Sequence, residues 1–173
     1  MVQKLDRRFE LDIILVPGIR SYMDRLKRKF ADDLRIRFLE PFAYEEIVQK
    51  TNNYDLGVFL LPPTNLNYRF ALPNKLFEFI QARLGIIIGP SPEMAKVVEM
   101  YHCGMVLPSF DPAECASALS SIQTRQVAEW KEASHRASSR LAAERFSNRL
   151  VENVSRSIFH PAPYSAWPRE GRQ

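Results

Sequence analysis

The strongest constraint on what this chain can fold into is an alternation of short, continuously apolar runs with segments of helical character. Runs of strand character occupy residues 11–16, 35–39, 55–61, 85–89 and 103–107. Three of their centres, Ile13-Ile14-Leu15-Val16, Val58-Phe59-Leu60-Leu61 and Ile86-Ile87-Ile88, are apolar at every position rather than at every second one. A strand with one wet face alternates, whereas an unbroken apolar strand is covered on both faces. Between these runs lie helical segments at 21–31, 43–50, 73–84 and 92–101. The succession predicts an α/β fold, a Rossmann-like parallel sheet flanked by helices and joined by right-handed crossovers. All five strands are expected in one sheet, with 55–61 and 85–89 near its middle.

The punctuation agrees with this division. Ser91 reads as an N-cap with Pro92 at the first helical position. Asp111-Pro112-Ala113-Glu114 has the form of a capping box opening a helix to about Ile122. Gly85 stands where the 73–84 helix must stop, the usual place for a residue of positive φ. Thr124 opens a long helix, Ser147 caps another to Phe159, and the Pro-punctuated residues 161–173 read as an extended tail. One domain over residues 1–160 is the resulting expectation.

Charge adds little but excludes several classes. Of the 24 Lys+Arg, ten lie in residues 1–37 against six acids, and the excess centres on Arg25-Leu26-Lys27-Arg28-Lys29. With Asp24, Asp32 and Asp33 around it, this run reads as the solvated face of a helix. No zinc-finger spacing or RNA-recognition motif accompanies it, so nucleic acid is not an expected partner. No apolar run approaches the ~18 residues a membrane helix needs, and the start has no secretory h-region. The expected location is the cytoplasm, with peripheral contact at the inner face of a membrane as the variant. Cys103 and Cys115 form no C-x-x-C pair and read as reduced and buried. His102 beside Cys103 does not make a metal site, since no further His or Cys cluster exists.

One loop stands out. In an open parallel sheet, ligands bind beyond the carboxyl ends of the strands. Eleven residues, Pro62 to Leu72, separate the third strand from the next helix, where about 2–6 are usual. Pro73 suits the first position of that helix, whose free N–H groups and partial positive charge are suited to phosphate. On a helical wheel Leu76, Phe77, Ile80 and Leu84 form the core face, and Asn74, Lys75 and Glu78 lie opposite. A diphosphate could rest near Lys75 while Glu78 accepts hydrogen bonds from a ribose diol one turn further in. There is no G-x-G-x-x-G, Walker A loop, G-x-S-x-G elbow or H-E-x-x-H. Dehydrogenase, P-loop ATPase and serine-hydrolase chemistry are accordingly disfavoured.

These words also have a family likeness. Residues 54–64 (YDLGVFLLPPT), then Ala71-Leu72-Pro73-Asn74-Lys75-Leu76-Phe77-Glu78-Phe79, then Gly89-Pro90-Ser91-Pro92-Glu93-Met94 resemble the C-terminal half of GT-B glycosyltransferases. The likeness is to the retaining group-1 (family 4) set, in the subgroup with an L-P-N-K-x-F-E helix, and runs from about Arg8 to Ile122. It implies a domain that binds a nucleotide-diphosphate sugar as donor, without metal or other cofactor. By that resemblance Glu78 holds the donor ribose and Leu72, Pro73, Asn74 and Lys75 meet the diphosphate. Thr64 lies at the donor, and Pro41 and Phe42 lie by the base.

Three departures shape the expectation. The family often places a second glutamate eight positions before the ribose-binding one, where this chain has Phe70. Ten residues precede Leu11, so the family's upstream strand–helix unit with its phosphate-binding Arg and Lys is expected to be absent, as is the N-terminal acceptor domain. The chain then reads as the donor-binding domain of a glycosyltransferase, inactive alone, whose partners are a nucleotide sugar and a separate acceptor-domain chain or a second copy. The alternative is a non-catalytic nucleotide-binding or protein-interaction module derived from such an enzyme.

Overall fold

The computed structural model describes residues 1–16, 18 and 20–142. The chain divides into two compact units, Met1–Ser138 and Ser139–Gln173, and every described helix and strand belongs to the first. The expected helix from Ser147 and the Pro-punctuated tail lie outside the described residues.

Five strands form where the apolar runs lie: β1 Leu11–Ile14, β2 Ile36–Leu39, β3 Leu56–Phe59, β4 Gly85–Ile88 and β5 Gly104–Val106. All neighbours pair parallel. Helices α1 Arg20–Lys29, α2 Ile47–Thr51, α3 Leu66–Arg69, α4 Asn74–Gln81, α5 Pro92–Tyr101, α6 Pro112–Ser120 and α7 Thr124–Ser138 connect and follow them. The architecture is thus the expected α/β one, with parallel strands flanked by helices.

The sheet itself departs from expectation. It is two sheets, β1-β2 and β3-β4-β5, rather than one of five strands. Strand β4 is central in its sheet, but β3 is at an edge. No ladder joins β1 to β3; instead the Tyr54 hydroxyl donates to Asp12 Oδ2 at 2.8 Å, a side-chain bridge between the two parts. Arg37 on β2 donates to the other Asp12 oxygen at 2.6 Å.

The core centres on β4. All four of its residues are buried, and Leu76 and Ile80 of α4, Met94 and Val98 of α5, and Leu84, Cys103 and Leu107 are buried with them. The turn Val2–Lys4 adds Val2, which with Leu5 packs in a cluster around Ile87, Leu107, Cys115 and Leu119. Helix α7 is tied down by polar contacts: the Ser134 hydroxyl donates to Leu84 O at 2.6 Å, and Lys131 reaches Tyr54 O at 2.8 Å and Asp55 at 3.1 Å.

Several caps differ from the reading of the sequence. Asp111 does cap α6, accepting from Ala113 N and Glu114 N at 2.8 and 3.0 Å, but its own N–H goes to Ser109 Oγ, not to Glu114. Ser91 sits at the N-cap of α5 yet makes no cap hydrogen bond, and its buried hydroxyl has no partner among the described residues. The end of α4 is turned by Arg83 at φ 61°, with Arg83 N donating to Ile80 O and Leu84 N to Phe79 O, a Schellman closure. Gly85 therefore has another role. A Cβ there would stand 2.9 Å from Leu56 Cδ2 and 3.3 Å from Trp130 Cβ, so glycine lets β4 lie against both.

Candidate donor-binding site

The strongest candidate site is the start of α4, beyond the carboxyl end of β3. Strand β3 is followed by an extended Pro62-Pro63 segment and then by α3, a single turn inside what reads in sequence as an eleven-residue loop. The turn exists because Asn65 caps it: its Oδ1 accepts from Tyr68 N at 2.8 Å. Thr64 lies just before, exposed, its N–H held by Pro62 O at 2.8 Å. Leu66, Phe70 and Leu72 are all exposed along this segment, Phe70 at 51% and Leu72 at 48%.

Pro73 occupies the N-cap of α4 rather than its first turn, with φ −77° and ψ 152°. A proline at the N-cap has no side-chain acceptor, so the helix start is not self-capped. Leu76 N is taken by Pro73 O at 3.1 Å, and the N–H groups of Asn74 and Lys75 have no partner among the described residues. Two amides and the positive end of an eight-residue helix are thereby presented at the strand ends.

The side chains of this turn divide as its periodicity requires. Leu76 and Ile80 are buried, Phe77 is half-buried, and Asn74 and Lys75 are exposed. Glu78 is largely covered, its side chain only 14% exposed, and Lys75 Nζ donates to Glu78 Oε2 at 2.7 Å. Lys75 and Glu78 are therefore brought together as an ion pair at the mouth of the helix. Phe79, on the inner side, lies against Gly57 of β3, where an added Cβ would meet its ring at 2.5 Å. That close approach seats α4 on the strand.

Pro41 and Phe42 follow β2, also beyond a carboxyl end, and both are half-buried. The Phe42 ring carries Lys50 Nζ 5.0 Å from its centroid. Among the described residues no hydrogen bond or ion pair links Pro41, Phe42 or Thr64 to α4. Shared placement at the strand ends is what relates them.

A cavity of about 560 Å³ opens at the opposite, amino ends of β1 and β2, lined by Gln3, Asp6, Lys29, Asp32, Asp33 and Arg35 among others. Two of its charges are paired with each other. Arg35 holds Asp33 at 2.9 Å and donates to Leu5 O at 2.8 Å. Parallel sheets bind ligands at the other end, so this volume does not compete with the α4 site.

The residues invisible to sequence reasoning are Asp12, Arg37 and Tyr54. Asp12 has a side chain 7% exposed, and the Arg37 guanidinium, aided by the Tyr54 hydroxyl, holds its carboxyl below the usual value of 3.8. Burial, together with the Asp12 carboxylate, pushes the Tyr54 phenol up. Nothing local marks Asp12, one acid at the start of an apolar run. Burial also pushes the Cys103 thiol up to about 11 and raises that of Cys115, so neither is a ready nucleophile. Among the described residues no group of three His, Cys, Asp or Glu side chains could hold a metal ion, and no helix is long and apolar enough to cross a membrane.

No family model matches the sequence, and no curated protein matches it at the level of sequence. Among solved structures the chain is similar to the crystal structure of WaaG, a glycosyltransferase involved in lipopolysaccharide biosynthesis. The superposition has a TM-score of 0.63 at 16% identity, covering 92% of this chain and 41% of that one. The fold is thus glycosyltransferase-like, and the chain spans about two fifths of the length of the enzyme it matches.

Proposed function

We propose that this chain is the donor-binding part of a glycosyltransferase that moves a hexosyl group from a nucleotide-diphosphate sugar. The observation that carries the reading is the uncapped start of α4. Free amides of Asn74 and Lys75, a lysine and a covered carboxylate converge there at the carboxyl end of β3. Amides and helix dipole favour a diphosphate, and Lys75 adds a full positive charge. Glu78, one turn in, is an acceptor-only group suited to two ribose hydroxyls. On ligand binding Lys75 would exchange its contact with Glu78 for the diphosphate, freeing the carboxylate for the sugar. Pro41, Phe42 and Thr64 would border the base and the donor from neighbouring strand ends.

By the family resemblance, transfer by such a site is metal-independent and retaining. The leaving diphosphate gains negative charge as the glycosidic bond breaks, and fixed N–H dipoles plus Lys75 stabilise it in place of a cation. Transfer also needs an acceptor hydroxyl held in place, and such positioning supplies on the order of 7–11 kcal/mol of barrier reduction. On this reading the acceptor side comes from a separate domain, in another chain or a second copy. A second reading, a nucleotide-binding or interaction module without transfer, is favoured by the exposed apolar Leu66, Phe70 and Leu72 beside the site.

A thermal-shift screen against UDP-, GDP- and ADP-sugars tests the donor assignment. Binding on the order of millimolar raises the melting temperature in proportion to ligand excess. A flat response to all three at high ligand concentration would remove the nucleotide from the proposal.

A further inference from the structure

Helix α1 carries its charge differently from the helices of the core. Its five cations, Arg20, Arg25, Lys27, Arg28 and Lys29, are all exposed, and among the described residues none of them pairs with an acid. Elsewhere the helices neutralise themselves: Lys75 holds Glu78 on α4 at 2.7 Å, Lys96 holds Glu93 on α5 at 2.6 Å, and Arg125 holds Glu129 on α7 at 2.9 Å. The acids that surround the α1 run in sequence do not do the same for it. Asp33 is taken by Arg35 at 2.9 Å, and Asp24 and Asp32 are exposed without an ion pair among the described residues.

The inner side of the helix fixes where these cations point. Only Met23 and Leu26 are half-buried; the other eight residues of α1 are exposed and none is fully buried. On the helical repeat Arg25 and Arg28 fall opposite Met23 and Leu26, with Arg20, Lys27 and Lys29 on the flanks. The outward face thus presents five cations and the single acid Asp24. Arg25 lies over the Tyr22 ring, 5.5 Å from its centroid, which keeps an aromatic group within the charged face.

Such a face attracts an anionic partner, and its margins narrow the chemistry. Tyr22 is half-exposed, while Val16 before the helix and Leu34 after it are 82% and 91% exposed. Aliphatic side chains at both ends gain nothing against a nucleic-acid backbone. At a bilayer they enter the boundary between headgroups and acyl chains, and a tyrosine sits at headgroup level. A cluster of about 4–8 Lys/Arg on an amphipathic helix is drawn to anionic lipid.

We propose that the outer face of α1 docks on a membrane surface of anionic lipid, with its cations on headgroup phosphates and Val16, Tyr22 and Leu34 entering at the margins. Attraction is electrostatic first, so docking is reversible and salt-sensitive. It uses none of the groups gathered at α4 and stands whether or not that site takes a nucleotide.

Cosedimentation of the full chain with vesicles tests this. Vesicles of equal parts phosphatidylglycerol and phosphatidylcholine should carry the chain down at about 0.1 M salt and release it at about 1 M, where the screening length falls from ~10 to ~3 Å. Pure phosphatidylcholine vesicles should not carry it down. Arg25→Glu with Arg28→Glu should weaken binding by about tenfold or more. Lys96→Glu with Arg125→Glu, the same change of net charge on α5 and α7, should leave it as in the parent; all four side chains are exposed, so both variants keep the core intact. Duplex DNA at equal phosphate concentration should bind more weakly than the anionic vesicles. The proposal is overturned if anionic vesicles leave the chain in solution, if the two charge-reversed variants lose binding equally, or if the duplex binds more tightly than the vesicles.

Discussion

At the scale of single residues, two carboxylates carry the account for opposite reasons. Glu78 is largely covered and paired with Lys75, and is the proposed acceptor of hydrogen bonds from a ligand. Its candidacy is legible in the sequence, since position on the helix wheel and family likeness both select it. Asp12 was not legible, because its partners Arg37 and Tyr54 come from β2 and from the approach to β3. Its carboxyl titrates lower when folded than when unfolded, so its contribution to stability is complete above the ordinary value of 3.8 and is lost as pH falls below it. Asp12→Asn should cost about 1–3 kcal/mol at neutral pH by weakening a charge-assisted contact. The variant should also show a shallower loss of stability on acidification. Urea melts of parent and variant at several pH values check both statements; parallel pH profiles would mean that Asp12 is not held low by its partners.

At the scale of elements, strands and most helices were readable, because apolar runs and caps are local signals. Where the reading missed, distant neighbours decided. Gly85 reads as the end of α4, yet it is placed for contact with Leu56 and with Trp130 on α7, which no local rule contains. The helix ends instead on Arg83, and α5 ends likewise on His102 at φ 50°, with Cys103 N bonded to Val98 O at 3.2 Å. A left-handed conformation strains a residue with a Cβ by roughly 1–2 kcal/mol, partly offset by the greater unfolded freedom of glycine. His102→Gly should therefore stabilise the fold by about 0.5–1 kcal/mol in chemical denaturation; a destabilised variant would show that the imidazole makes a contact of its own. Gly57→Ala should do the reverse, costing about 1–3 kcal/mol by driving a methyl into the Phe79 ring and lifting α4 from β3. Because α4 bears the candidate site, nucleotide binding should weaken with it.

At the scale of the whole molecule, one sheet was expected and two are found, since apolar patterning says that a strand is covered but not which strands are neighbours. The division falls between β1 and β3, where the direction of winding reverses, and the candidate site lies on the helix that follows β3. If the groups gathered at α4 serve a donor and the acceptor side comes from elsewhere, as proposed, purified chain alone should transfer no sugar; turnover of a nucleotide sugar onto any acceptor above the rate in buffer would refute this. The most direct test of the central claim is calorimetric titration of UDP, GDP and ADP into the parent chain and into Glu78→Ala. The account predicts that at least one diphosphate binds the parent, and that the variant binds it about 1–3 kcal/mol more weakly for loss of charge-assisted ribose contacts. Equal affinity in the two proteins, or no binding of any nucleotide to the parent, would contradict it.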